Sequence, residues 1–222
     1  MARDIARAAI ALPSHAARRT PACRMKATKA WPGFLDAFAE IVRRIESSLA
    51  GSRATLKEPV RIFVAGGAAV HAYTGARISA DIDATLSRRV LLPENLEVSY
   101  RDRDGTPRVL YFDRQYNDTL GLLHENAYED SVALEIEGID RSLIDLRVLS
   151  PTDLAVSKIA RMAPNDREDI SSLAAAGLLD ADVVRRRADE ALAGYVGDPR
   201  MVRIAIDEAG EIIRAAAPRK RK

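Results

Sequence analysis

Two aspartates one residue apart, Asp81 and Asp83, are the side chains in this sequence best spaced to do chemistry. On an extended strand residues i and i+2 share a face, so both carboxylates project together while Ile82 turns into the core. Two such charges repel unless a cation lies between them. A hard divalent ion such as Mg²⁺ removes the repulsion and keeps coordination positions open for phosphate oxygens. The pair therefore suits a nucleoside triphosphate (NTP) held by one or two Mg²⁺ ions, as in two-metal phosphoryl or nucleotidyl transfer. Upstream, Gly66-Gly67 ends a β-branched run and leads into a short helical stretch. Without a Cβ the backbone can approach a phosphate closely, and a helix start turns its free N–H groups toward the anion. Each feature alone has a plainer reading: a tight turn in one case, a solvated strand face in the other. Their order, with thirteen residues between Gly67 and Asp81, points to a nucleotide site.

The elements that must position these residues follow from periodicity. Val60–Ala65 (VRIFVA) reads as a buried strand, Ala68–Tyr73 as a short helix, and Asp81–Leu86 (DIDATL) as a strand with one face exposed. Val98–Arg103 and Arg108–Phe112 flank Asp104-Gly105, a hairpin signal, and Ser131–Ile136 and Leu143–Leu149 read as further strands. Phe34, Phe38, Ile41, Val42 and Ile45 recur at helical spacing ahead of them, with Gly51 closing the pattern. After residue 149 the chain is helical. Ser150-Pro151 caps one helix, Asn165-x-x-Glu168 a second, and two amphipathic helices follow over 181–193 and 198–216. The expected class is α+β, a mixed β-sheet with flanking helices followed by a C-terminal helical region. The expected division is a basic extension over 1–30, an α/β domain over 31–149, a helical region over 150–216 and a basic tail over 217–222.

Composition narrows the partners. Of the 222 residues 47% are apolar and 30% charged, which supports a packed core. Aromatics are only 5%, so a stacking surface for single-stranded nucleic acid is not advertised. One cysteine, Cys23, excludes an internal disulfide and a cysteine-rich zinc site, and His15, His71 and His124 lack metal-ligand spacing. These features fit a reducing cytoplasm, and no apolar run reaches the roughly 20 residues of a membrane span. The net charge of +2 hides an asymmetry: residues 1–30 carry +6 and Arg219–Lys222 carry +4, leaving −8 on the residues between. Basic ends can contact phosphates, though such ends are more often simply solvated.

The stretch Val64-Ala65-Gly66-Gly67 … Asp81-Ile82-Asp83-Ala84 resembles the signature of the DNA polymerase β-type nucleotidyltransferase superfamily, and Arg77-x-Ser79 is similar to a motif of its bacterial branch. A second block, Leu154-x-x-x-Lys158-Ile159 … Asp166-Arg167-Glu168-Asp169-Ile170, resembles the lysine helix and following acidic helix of AbiEii-type nucleotidyltransferases, toxins of bacterial abortive-infection systems. The likeness covers residues 60–175. It implies that Gly66 and Gly67 contact nucleotide phosphates, with Arg77 and Ser79 beside them. Asp81 and Asp83 would ligate Mg²⁺, and Lys158 would neutralise triphosphate charge. Asp166 or Asp169 would hold an acceptor, a metal or Lys158 itself. One departure is Asn165, where the AbiEii pattern has arginine, which puts that arginine's contact in doubt.

The superfamily also uses a third carboxylate on a later strand. Three positions are candidates: Ile144-Asp145-Leu146 and Leu134-Glu135-Ile136 match equally in form, Asp113 follows the strand ending Leu110-Tyr111-Phe112, and Asp145, just ahead of the lysine helix, is favoured. Plainer roles stand beside these: Lys158 as a surface lysine, Arg77 as a salt-bridge partner of Asp81 or Asp83, His71 as a packed core histidine. The resemblance implies an Mg²⁺-dependent transfer of a nucleoside monophosphate from an NTP to an RNA (tRNA) or protein acceptor, in a toxin–antitoxin setting with a cognate toxin or antitoxin partner. The alternative is a catalytically degenerate binding or regulatory module of the same fold.

Overall fold

The computed structural model describes residues 24–53, 56–118 and 121–218. The Ala/Arg-rich start ahead of Arg24 and the basic tail from Arg219 lie outside the described residues. A two-residue strand, β1 (Arg24–Met25), comes first, and Ala27 and Ala30 beyond it are buried. Residues 24–30 therefore join the packed body, where the sequence suggests a loose extension reaching residue 30. Helix α1 (Pro32–Leu49) opens on a proline, whose fixed φ suits a first turn, and buries Phe34, Phe38, Ile41, Val42 and Ile45 along one stripe.

Next come β2 (Val60–Val64), helix α2 (Gly66–Thr74), and two short strands, β3 (Asp81–Ile82) and β4 (Ala84–Leu86). The hairpin expected around Asp104-Gly105 is present as β5 (Glu97–Arg101) and β6 (Pro107–Phe112), with Gly105 at φ +83°. Strands β7 (Val132–Leu134) and β8 (Ile144–Val148) complete two mixed sheets, β1-β7-β8-β2-β4 and β3-β6-β5.

The stretch DIDATL, read from sequence as one strand, is divided between these sheets. β3 runs parallel to β6, whereas β4 runs antiparallel to β2. The backbone shows why the break falls at Asp83. The Asp83 carbonyl accepts from Ala65 N–H at 2.8 Å on one side, and the Ile82 carbonyl accepts from Asp113 N–H at 3.1 Å on the other. Consecutive carbonyls thus serve different sheets, and the residue carrying one candidate carboxylate is the joint.

Four helices follow: α3 (Pro151–Ile159), α4 (Pro164–Ala175), α5 (Ala181–Ala191) and α6 (Pro199–Ala216). Ser150 caps α3 as expected, its Oγ accepting from Asp153 N–H at 3.1 Å. The start of α4 differs from expectation. Pro164 takes the first helical position and the Asp166 carboxylate accepts from Ala163 N–H at 2.9 Å, so the helix begins ahead of Asn165. Helix α3 joins two cores: Leu154 packs into the cluster around the sheets, while Ala155, Val156 and Ile159 pack among α4, α5 and α6. This is the α+β arrangement the sequence implies, a strand-rich body with flanking helices and a helical C-terminal region. Among the described residues no helix is long and apolar enough to cross a membrane.

His71 is fully buried on α2 and takes the packed role, edge-on to Phe34 at 4.7 Å between ring centroids. Its Nε2 accepts from Trp31 N–H at 2.9 Å, which leaves Nδ1 to donate to the Ala76 carbonyl, also at 2.9 Å. Accepting at Nε2 requires the neutral ring, and burial holds its pKa below the ordinary value. As pH falls through the unfolded-state value near ~6.5, the unfolded chain takes up a proton that the folded chain resists, so folding stability drops. His71→Leu is expected to cost about 1–3 kcal/mol at pH 7.5 in urea denaturation. The gap to wild type should narrow on moving to acidic buffer; a gap independent of pH would refute the neutral-ring assignment.

Candidate functional site

Pairing of β3 with β6 sets Asp81 opposite Tyr111 and Ile82 opposite Phe112. Ile82 and Phe112 are buried, so Asp81 and Tyr111 share the opposite face, and Asp83 and Asp113 continue the same alternation. The N–H of Asp113 bonds the Ile82 carbonyl, which sets that carboxylate beside Asp83. Burial first, then the charges of Asp81 and Asp113, push the Asp83 carboxyl up to about 6. Asp81 accepts a hydrogen bond from Ser79 Oγ. The Asp81 charge in turn raises the phenol of Tyr111 above its ordinary value.

The structure does not bring Asp145 to this cluster. Asp145 lies on β8 in register with Arg61 and forms ion pairs with Arg61 at 3.6 Å and Arg147 at 3.5 Å. Glu135 is likewise engaged elsewhere, 3.0 Å from Arg141 and 3.5 Å from Arg24. Both acids border a separate cavity of about 280 Å³. An apolar-acid-apolar pattern marks any strand with one solvated face, and only strand order tells which acid neighbours the pair. Asp113 has that neighbouring position.

The glycine turn meets the same acids. Gly66 sits at φ +59°, and a Cβ there would fall 1.8 Å from Asp83 Oδ2. A Cβ on Gly67 would crowd Ser79 Oγ at 2.9 Å and Arg77 Nη2 at 3.0 Å. The turn thus lays bare backbone directly against Asp83 and the Arg77–Ser79 segment, and no side chain caps the start of α2.

Behind the acids lies a cationic network. Lys158 Nζ is 2.7 Å from Asp169 Oδ2 and 3.7 Å from Asp166 Oδ1, with all three residues nearly buried. Arg77 Nη2 reaches the same Asp169 oxygen at 2.9 Å, so its ion pair is with α4 and not with Asp81 or Asp83. Arg161 grips Asp166 through Nε and Nη2, both at 2.7 Å, while its side chain stays 73% exposed. These bonds and the Ala163 N–H outweigh burial and keep the Asp166 carboxyl below its usual range.

Gly66, Asp83, Lys158, Arg161, Tyr116 and Tyr195 line a cleft of about 290 Å³ between the acids and α3. Burial and the Asp83 charge push the Tyr116 phenol up. The sequence reading missed Tyr116, Tyr195 and Arg161. Arg161 was accessible in principle, since it follows Lys158 by three residues, although α3 ends at Ile159 and Arg161 lies in the turn beyond it. The two tyrosines come from irregular segments with no pattern to mark them.

Does this donor set fit a metal? Three cations (Arg77, Lys158, Arg161) stand among six carboxylates (Asp81, Asp83, Asp113, Asp118, Asp166, Asp169), a formal charge of −3. A divalent cation would offset most of that deficit, and the oxygen donors are hard. Among the described residues no group of three or more His, Cys, Asp or Glu side chains is placed to hold a metal ion, so the protein offers at most a carboxylate pair. Mg²⁺ in phosphate-handling sites is commonly held by one or two carboxylates, with waters and substrate oxygens completing its shell. Asp81 and Asp83 fit that arrangement.

The raised Asp83 carboxyl sets a testable sign. The unfolded chain ionises this group near ~3.8 and the folded chain only near 6, so holding the charge in the folded state costs stability above that range. In metal-free buffer Asp83→Asn should therefore stabilise the protein by ~1–2 kcal/mol at pH 8, discounting for its half-exposed position. The gain should vanish below about pH 3, where wild type is protonated in both states. Equal stability of the two proteins at pH 8 would remove the argument that this acid cluster lacks a cation.

No curated protein and no solved structure matches the chain. A family model does match, over residues 37–207, described as a nucleotidyltransferase of unknown function (DUF6036). The matched span runs from α1 into α6 and contains the glycine turn, the acid cluster and the whole cationic network, and the chain belongs to this nucleotidyltransferase family.

Proposed function

We propose that the protein transfers a nucleoside monophosphate from an NTP to an acceptor hydroxyl in an Mg²⁺-dependent reaction. The observation that carries this reading is the charge imbalance beside the cleft. Carboxylates in deficit of a cation stand on one wall, a bare glycine turn forms the floor, and Lys158 and Arg161 stand on the other wall. Asp81 and Asp83 would hold the metal, which when bound supplies charge neutralisation at the phosphates and at the leaving pyrophosphate. Gly66 and Gly67 admit the phosphates against the backbone. Arg161 is the cation free to meet them, since its outer guanidinium edge is exposed while two of its nitrogens are fixed by Asp166. Lys158 is consumed by Asp166 and Asp169 and acts as the pin that places α3 against α4.

Asp113 takes the part of the third acid, orienting the acceptor hydroxyl. Its position beside the pair favours turnover over a regulatory module that only binds. The likeness to polymerase β-type and AbiEii-type enzymes supports an RNA (tRNA) or protein acceptor and a toxin–antitoxin setting.

Thermal unfolding with Mg²⁺ and each common NTP tests the reading. At a ligand concentration of about 100 Kd the native state gains ~2.7 kcal/mol, a shift of several degrees. Wild type should show it with at least one NTP, and the double variant Asp81→Ala/Asp83→Ala with none. Arg161→Ala is expected to weaken nucleotide binding about tenfold, or ~1.4 kcal/mol. Lys158→Met should instead lower stability itself by ~1–3 kcal/mol, because it removes the amine shared by two buried carboxylates and leaves Asp169 with Arg77 and Asp166 with Arg161 and the Ala163 N–H. Silence of wild type toward every nucleotide would defeat the proposal.

A further inference from the structure

Resting on that reading and going beyond it, we propose that the chain nucleotidylates itself on the Tyr111 hydroxyl. Register places Tyr111 opposite Asp81 on adjacent parallel strands, a backbone separation of about 4.8 Å, with both side chains on the face away from Ile82 and Phe112. Tyr111 is 43% exposed, and neither it nor Asp81 lines the nucleotide cleft.

In-line displacement dictates from which side the acceptor comes. The triphosphate is drawn into the cleft by Gly66 and Arg161, and neither Asp81 nor Tyr111 lines that cleft, so pyrophosphate departs into it. The attacking oxygen must then arrive from the side away from the cleft, past Asp81. Tyr111 is carried on the strand beside Asp81 and needs no encounter step.

Other hydroxyls near the acids are spoken for. Ser79 Oγ is buried and donates to Asp81. Tyr116 lines the cleft itself, on the nucleotide side. Thr85 Oγ1 accepts from Tyr128 and lies one strand step beyond the joint. Along this face the register neighbour of Tyr111 on β5 is Glu97, and the next pair is Val109 with Ser99.

The chemistry balances without an added oxidant or reductant. The phenolic oxygen attacks the α-phosphorus of the NTP and forms a new O–P bond. The bond from that phosphorus to the bridging oxygen breaks, pyrophosphate leaves with its electron pair, and the phenolic proton is released to water. The product is a phosphodiester joining Tyr111 to a nucleoside monophosphate.

The test incubates the full chain with Mg²⁺ and each NTP labelled at the α-phosphate, followed by a denaturing gel and peptide mass mapping. The intact mass of the starting protein is read first, so that adduct already present counts as modification. Label that stays with the denatured chain and maps to Tyr111 is expected. Tyr111→Phe should abolish it while keeping the melting temperature and the NTP-induced shift of wild type. Asp81→Ala/Asp83→Ala should lose both label and shift. A wild-type shift without label, or label that persists elsewhere in Tyr111→Phe, overturns self-modification and leaves nucleotide binding standing. Absence of both shift and label overturns the two readings together.

Discussion

Everything in the site hangs on the buried amine of Lys158 and the two aspartates that hold it. A lysine taken out of water is costly unless close carboxylates compensate, and breaking such a pair is costlier still. Asp166 and Asp169 both come from α4, and Lys158 from α3, so the ion pairs fix the two helices face to face. Asp169 also holds Arg77, two residues ahead of Ser79, whose hydroxyl in turn holds Asp81. Asp166 grips Arg161 at the cleft mouth. One helix thus sets the position of a metal-ligand candidate on one side and of a phosphate-binding cation on the other.

The two halves of the site carry opposite kinds of satisfaction. The cationic half is saturated: each carboxylate there has two or more donors. The acidic half is not, and Asp83 registers the shortfall in its raised carboxyl. Such a deficit is a stability cost that a fold retains only where something else offsets it. Gly66 sharpens the point. Its positive φ and its contact with Asp83 exclude any larger residue, and a turn without the carboxylate behind it would not need that closeness.

How much of this was legible in the sequence depends on whether the signal is local. The glycine turn, the α1 stripe, the Ser150 cap and the hairpin at Gly105 all follow from neighbours within a few residues, and all are present. The Asp-x-Asp pair was legible as a pair, but its strand was not: the break at Asp83 depends on Ala65 and Asp113, distant in sequence. The third acid failed for the same reason. Asp145 matches the apolar-acid-apolar pattern better than Asp113, which Arg114 follows, yet β6 lies beside β3 while β8 lies beside β2. Alternation reveals a solvated face but not which strands are neighbours. Periodicity also had no hold on Tyr116 or Tyr195, which reach the cleft from irregular segments.

Asn165 shows how a departure from a linear motif can leave the spatial one intact. By sequence it removes an arginine adjacent to Asp166 and puts a contact in doubt. In three dimensions Asp166 has a guanidinium all the same, delivered by Arg161 from the end of α3. The sharp link between α3 and α4 makes this possible: Met162 adopts φ 46°, Pro164 starts α4 at once, and Arg161 folds back onto the first turn. The origin also changes what the guanidinium can do. An arginine on α4 would lie beside Asp166 on the same helix, whereas Arg161 spans from α3 and keeps an exposed edge at the mouth of the cleft beside Asp83. The carboxylate sets the orientation of a cation aimed at phosphate, and the substitution at 165 moves the source of that cation without removing it.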